Sequence, residues 1–206
     1  HINLLVQNKV GLKNLFKLVS LANTTYLYKT PRILRSVIEE HREGLLVGSG
    51  CYRGEVFYMA ETRNEETLKK VIDFYDYVEV QPPEVYEHLV WGHDINSDKD
   101  VKMCINKIIK CTKEAGKIIV ATGDVHHISR DDKLYREIIV NQKVPGGGRH
   151  PLARVLDHYH KIPSQHFRTT DEMLNDFSFL DEELRKEIVI TNPKKILDMA
   201  EIIEVI

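Results

Sequence analysis

The sequence predicts an α/β fold in which short apolar strands alternate with amphipathic helices, and three observations carry that expectation. Four runs, "INLLV", "GLLVG", "YVEVQ" and "KIIVATG", are bounded by Gly, Pro or Asn and hold enough Val, Ile and Tyr to be buried strands. Between them lie stretches whose apolar residues recur at helical spacing. The alternation itself favours parallel strands with helices packed outside, hence a sheet or barrel rather than a sandwich or bundle. A closed parallel barrel needs roughly eight βα units. Four strands therefore predict half a barrel.

Taken in order, "GLKNLFKLVSLA" places Leu12, Leu15, Phe16 and Val19 on one stripe and leaves Lys13 and Lys17 to water. A second helix is expected in "EETLKKVIDFY". In "SDKDVKMCINKIIKCTKEAG", Ser97 with Asp100 three residues on resembles a capping box. Val101, Cys104, Ile105, Ile108 and Ala115 form its stripe, and Gly116 falls where the chain should leave the helix. Near the end, "NPKKILDMAEII" offers Asn192 as cap and Pro193 as first helical residue. Residues 141–167 contain three consecutive glycines and three prolines without sustained periodicity, which predicts a long loop or lid.

Composition bounds the function. A chain of 206 residues with 42% hydrophobic and 29% charged residues can bury one substantial core. Its net charge of -2 excludes a domain that holds nucleic acid by phosphate contacts alone. The three cysteines Cys51, Cys104 and Cys111 are an odd, scattered set, which predicts reduced thiols rather than a disulfide framework. No apolar run approaches the roughly 18 residues of a membrane span. A cytoplasmic protein without membrane contact is expected. His1 leads directly into a strand with no preceding cap or turn, as in a segment taken from a longer chain.

The candidate chemistry sits at strand ends, where parallel α/β folds build their sites. In an extended strand Asp124 and His126 point to one side and Val125 to the other. A carboxylate beside an imidazole suits zinc, manganese or iron, and Gly123 leaves room for close approach. A polar turn with surface histidines fits the same residues equally well. "GLLVGSGCYRGE" repeats the pattern and ends on Cys51, either a ligand or a small buried hydrophobe. Cys104 and Cys111 lie on the core stripe of one helix. His88 and His93 flank Trp91, while His150, His158, His160 and His166 crowd the glycine-rich segment and read as exposed or substrate-touching. Lys29, Arg32 and Arg35 form a small basic cluster. Glu79 shares a strand face with Gln81 and can neutralise a neighbouring cation, and Glu84 reads as a turn or cap residue.

Together "HINLLVQNKVGLKNLFKLVSLA", "PRILRSVIEEHREGLLVGSGCYRGEVF", "FYDYVEVQPPEVY", "KIIVATGDVHHISRDDKLYREII", "HFRTTDEMLNDFSFL" and "EIVITNPKKI" resemble the PHP (polymerase and histidinol phosphatase) domain of bacterial DNA polymerase III alpha subunits, closest to the PolC type. The resemblance implies that residues 1–206 are the later portion of a PHP domain, part of a distorted, TIM-like seven-stranded β/α barrel. It places His1, Cys51, Asp124 and His126 at ligand positions for divalent metal ions, up to three in the complete domain. The other ligands would lie in an upstream half, separated by an inserted exonuclease. DNA, other replisome subunits and the polymerase domain are the implied partners, and the implied role is a metal-binding scaffold with vestigial phosphoesterase chemistry. A free-standing phosphoesterase of the histidinol-phosphate phosphatase kind, or a metal-free structural module, are the alternatives. Two departures stand out: Asp124 where many PolC-type chains have Asn, and His127 where they have Tyr.

Overall fold

The computed structural model describes residues 1–144 and 147–204 and shows a mixed α/β fold around one four-stranded sheet. The strands are β1 (Asn3–Val6), β2 (Leu45–Gly48), β3 (Tyr77–Val80) and β4 (Ile118–Ala121), in spatial order β1-β2-β3-β4. All four apolar runs form strands. β2, β3 and β4 are parallel, but β1 pairs antiparallel with β2, contrary to the expectation from alternation.

The reason lies in the excursion between β1 and β2. Helix α1 (Lys9–Asn23) leads away and α2 (Arg35–Glu40) returns the chain to the end of β1 that it left. There Gln7 N donates to Gly44 O at 2.8 Å and the Asn14 side chain donates to Glu43 O. A strand entered from that end must run opposite to β1. The approach is so close that a Cβ on Gly11 would fall 1.7 Å from the Gly44 carbonyl oxygen, while Gly44 itself has φ +73°. Only glycine fits at either position.

The sheet has two unlike faces, set by the period-two alternation of the strands. Leu45, Val47, Val78, Val80, Ile119 and Ala121 point outward into the main core. Helices α3 (Glu55–Thr62), α4 (Glu65–Ile72) and α6 (Asp98–Glu114) cover that side with Val56, Leu68, Ile72, Ile105 and Ile108. Leu46, Tyr77 and Val120 point inward and meet Ile196 of α11 (Asn192–Asp198). The Tyr77 ring lies against Gly48, where any Cβ would clash with it.

Helix α6 forms as its sequence dictates. The Ser97 hydroxyl accepts from Asp100 N and donates to the Asp100 carboxylate at 2.6 Å, and the chain leaves through Gly116 at φ +66°. Cys111 is buried on the stripe and Cys104 half-buried. At the C-terminal end the expected Asn192 cap is not used. A π-helical turn, Glu187–Thr191, runs straight into α11, so Asn192 is already helical; its amide donates to Ile119 O of β4 instead. The segment 141–167 is not all loop, for it contains α8 (Ala153–Tyr159). Leu152, Ala153 and Ile162 bury against Val140 of α7 (Lys133–Asn141). A helix of seven residues is too short to show a period. Pro145 and Gly146 of that segment lie outside the described residues.

The remaining elements are a 3₁₀ turn at Pro83–Tyr86, α5 (Glu87–Trp91), α9 (Thr170–Asp176) and α10 (Glu182–Lys186). Arg168 ties this part together. Its side chain, 1% exposed, donates to Glu84 at 2.8 Å and to Asp176 at 2.5 Å. Glu84 lies in the 3₁₀ turn, as one half of its expected reading has it, and also pairs with Arg130, so it is an ion-pair hub rather than a cap. Among the described residues no helix is long and apolar enough to cross a membrane.

Candidate metal centre

The parallel strands β2, β3 and β4 end at one rim, and antiparallel β1 begins there. His1, Cys51 and Asp124 consequently line a single cavity of about 390 Å³ with Asn3, Gly50, Glu79, Gln81 and Thr122. Glu79 comes from the inward face of β3 and Gln81 from the residue just beyond its end, above the apolar layer of Tyr77. The same face of the sheet is thus oily at one end and polar at the other.

Each ligand candidate has a local cause. The loop after β2 wraps beneath the N-terminus, where the His1 amine donates to Arg53 O at 3.1 Å. A Cβ on Gly54 would strike the Ser49 carbonyl oxygen at 2.3 Å, so this turn can close only with glycine. Closure brings Cys51 Sγ to 3.7 Å from His1 Nδ1. Asp124 lies on the cavity wall, and His126 Nε2, outside the lining, stands 3.6 Å from its Oδ1. The expected meeting of Asp124 and His126 occurs, but not by strand alternation. β4 stops at Ala121, and Asp124 adopts φ +45°, a left-handed turn that folds its carboxylate back towards the imidazole.

Electrostatics favour a cation here. Burial pushes the Cys51 thiol up, and the charge of Asp124 pushes it further, beyond what nearby backbone hydrogen bonds recover. Burial also works against ionised Asp124, but the nearby His126 imidazole, the hydrogen bond from Gln165 and the charge of Arg136 outweigh it, holding the carboxyl below its usual range. Glu79 is buried and accepts from Asn3 Nδ2 at 2.6 Å, Thr122 Oγ1 at 3.1 Å and Gly50 N at 3.2 Å. Among the described residues no cationic side chain forms an ion pair with it. Two carboxylates, a thiol and an imidazole in one cavity make a donor set for zinc, manganese or iron.

The geometry fits an ion in pairs and not as a whole. Zinc–sulfur and zinc–nitrogen bonds of about 2.3 and 2.1 Å in tetrahedral array put the two donor atoms roughly 3.5 Å apart. The His1–Cys51 and Asp124–His126 separations are close to that. Among the described residues, however, no three His, Cys, Asp or Glu side chains converge tightly enough to hold an ion by themselves. Three of the four candidates, His1, Cys51 and Asp124, line one space; His126 is not part of its lining and reaches it only through Asp124, which leaves the set incomplete.

Other histidines fall away from this role. The His127 Nδ1–H donates to Ser129 O at 2.7 Å and its Nε2 accepts from Gln165 N, so both ring nitrogens are used by the backbone. His158 and His160 are exposed as expected, but His166 is buried, with Nδ1 against the Ser164 hydroxyl. Lys29 and Arg32 lie over the exposed Tyr28 ring, and Arg35 pairs with Glu55. Sequence reasoning missed Gln165 and Arg136. Neither has a motif; only their partners reveal them.

Residues 1–82 match the PHP domain model. DNA polymerase III PolC-type of Bacillus subtilis is 48% identical over 201 residues, which are 98% of this chain and 13% of that one. The Bacillus cereus protein of the same name is 44% identical over 199 residues, 97% of this chain and 13% of its own length. That of Streptococcus sanguinis is 40% identical over 211 residues, spanning 100% and 14%. The chain thus spans about one-seventh of the curated relatives it matches. Along nearly its whole length the chain is similar to one segment of PolC-type DNA polymerase III, and the resemblance read from the sequence holds.

Proposed function

We propose that this chain is the later portion of a PHP-type barrel within a PolC-type replicative DNA polymerase, where it serves as a cation-binding scaffold for the polymerising domains. The observation that carries this reading is the rim itself: His1, Cys51, Glu79 and Asp124, drawn from four separate stretches, line one negatively charged cavity. His1, Cys51, Asp124 and His126 would hold divalent metal together with donors from an upstream portion. The open sheet supports that incompleteness, since Leu5 on its inward face is 43% exposed. Further strands closing a seven-stranded barrel would cover it.

Bound divalent ions would supply Lewis-acid activation for phosphoester hydrolysis. What the chain itself contributes is a cavity that orients carboxylate and thiol at fixed separations. DNA and the other replisome subunits would be met through the full-length cytoplasmic enzyme.

The test is elemental analysis of the full-length enzyme beside its Asp124→Asn and Cys51→Ser variants, with primer extension in parallel. Co-purifying divalent metal, lost in both variants while extension persists, is the expected result. A wild-type enzyme free of metal would leave a purely structural module.

A further inference from the structure

Gln165 joins the rim through both its backbone and its side chain, from a segment that supplies none of the candidate ligands. It lies in the glycine-rich segment yet is only 3% exposed. Its backbone clamps the loop that carries the candidate ligands: Gln165 O accepts from His126 N at 2.8 Å, and Gln165 N donates to His127 Nε2 at 3.2 Å. Phe167 N then donates to His127 O, so residues 165–167 run beside 126–128 like one more strand of the rim.

The side chain does something a backbone clamp does not require. Its Nε2 donates to Asp124 Oδ2 at 2.7 Å, and its Oε1 accepts from Arg136 Nη2 at 3.3 Å. A carboxylate only accepts and a guanidinium only donates, so these neighbours leave one orientation for the amide. One oxygen of Asp124 is thereby committed to Gln165. The other, Oδ1, is the one turned to His126.

Arg136 supplies a second, independent observation. Its Nε is sealed from solvent without a hydrogen-bond partner. An orphaned buried donor is a penalty that folding alone gives no reason to accept. The guanidinium sits against that penalty where it fixes Gln165.

We propose that Gln165, backed by Arg136, is a positioning residue for the cation site: it binds one oxygen of Asp124 and presents the other, with His126, to the ion. The inference rests on the metal-centre reading. Partners behind a metal ligand fix its orientation, and removing one typically costs about 10–100-fold in metal affinity.

The experiment is chelator competition for Zn²⁺ and for Mn²⁺ on the full-length enzyme, comparing wild type with Gln165→Leu, Arg136→Met, Arg136→Lys and Asp124→Asn. Visible absorption of the Co²⁺-loaded forms reads coordination directly. Gln165→Leu keeps the backbone clamp, and should weaken binding about 10–100-fold and shift the Co²⁺ bands. Arg136→Met should weaken it several-fold, and Arg136→Lys should recover part of that loss. Wild-type affinity in Gln165→Leu, while Asp124→Asn loses metal, overturns the positioning role and leaves the metal centre standing. A wild-type enzyme that binds neither ion defeats the metal centre, and the positioning role with it. If Gln165→Leu does not fold, Arg136→Met decides: unchanged affinity overturns the proposal, and a several-fold loss that lysine rescues supports it.

Discussion

The two faces of the sheet differ in what their side chains are for. Outward, every strand residue from β2 to β4 meets helices α3, α4 and α6, and Val47, Val78 and Val80 are completely buried. Inward, the apolar layer of Leu46, Tyr77 and Val120 is small and meets Ile118 and Ile196, and above it Glu79, Gln81 and Thr122 surround a cavity. One side spends its residues on stability, which grows with apolar area removed from water. The other keeps buried polar groups, which cost stability unless paired and therefore point to function.

If that division is right, the largest losses come from the outward face. Ile105 is fully buried between α6 and the sheet. Ile105→Ala should remove about 4 kcal/mol, the loss of transfer energy plus a cavity that close packing cannot refill. Urea denaturation followed by circular dichroism measures it. A loss below about 1 kcal/mol would mean the helical layer is loosely packed and the contrast between the faces is not real.

Next comes the Arg168 hub, which belongs to neither face but anchors the segment holding Gln165. Arg168→Met leaves Asp176 without its cation and Glu84 with Arg130 alone. Removing one partner of a buried pair costs about 3–5 kcal/mol, and because both carboxylates are partly exposed the lower end, about 3 kcal/mol, is expected. Hydrogen exchange should show residues 163–169 opening ahead of α6. Simultaneous opening would mean the rim and the helical layer are one cooperative unit.

Acid should act on the helical side of the rim before it acts on the core. Burial pushes the His88 pKa below its ordinary 6.5, for its ring is 6% exposed and Nε2 has no partner. In the folded chain the neutral form is favoured, while the unfolded chain takes up a proton near 6.5. Stability from this group is therefore complete above pH 6.5 and is lost as pH falls towards the lower folded value. Thermal melts between pH 7 and 5 should show this loss, and His88→Phe should flatten it. The edge contact with Tyr52 can persist in the phenylalanine variant.

How much of this the sequence revealed follows from the range of each interaction. The four strands and α6 were legible, because strand burial and helix capping are decided within a few residues: Ser97, Gly116 and the apolar stripe between them sit where the pattern puts them. The antiparallel β1 was not, since its direction depends on where an excursion of nearly forty residues closes, a contact made by Gln7 and Gly44. The short helices α5 and α7 were not read from the sequence, whereas α4 and α11, equally short, were. Around the cavity, Asp124 was singled out by its place after a strand, while Cys51 stayed open there between ligand and small buried hydrophobe until the family resemblance pointed to it. The left-handed turn at Asp124 and its bond to Gln165, 41 residues on, leave no local trace.

The smallest effect is the most diagnostic for the inward face. Leu5 lies directly opposite Leu46 in the β1–β2 ladder, yet its side chain is half in water. In this chain Leu5→Ser removes little buried area, so stability should change by less than about 0.5 kcal/mol, as for ordinary surface positions. In the full-length enzyme the outcome should differ. If further strands close over the inward face, Leu5 becomes a core residue and the same substitution should cost about 2–3 kcal/mol for a polar group set into an apolar layer. The comparison needs only two denaturation curves per length of chain. Equal, near-zero costs in both would mean that the inward face stays open in the parent enzyme, and with it the rim on which the cation site depends.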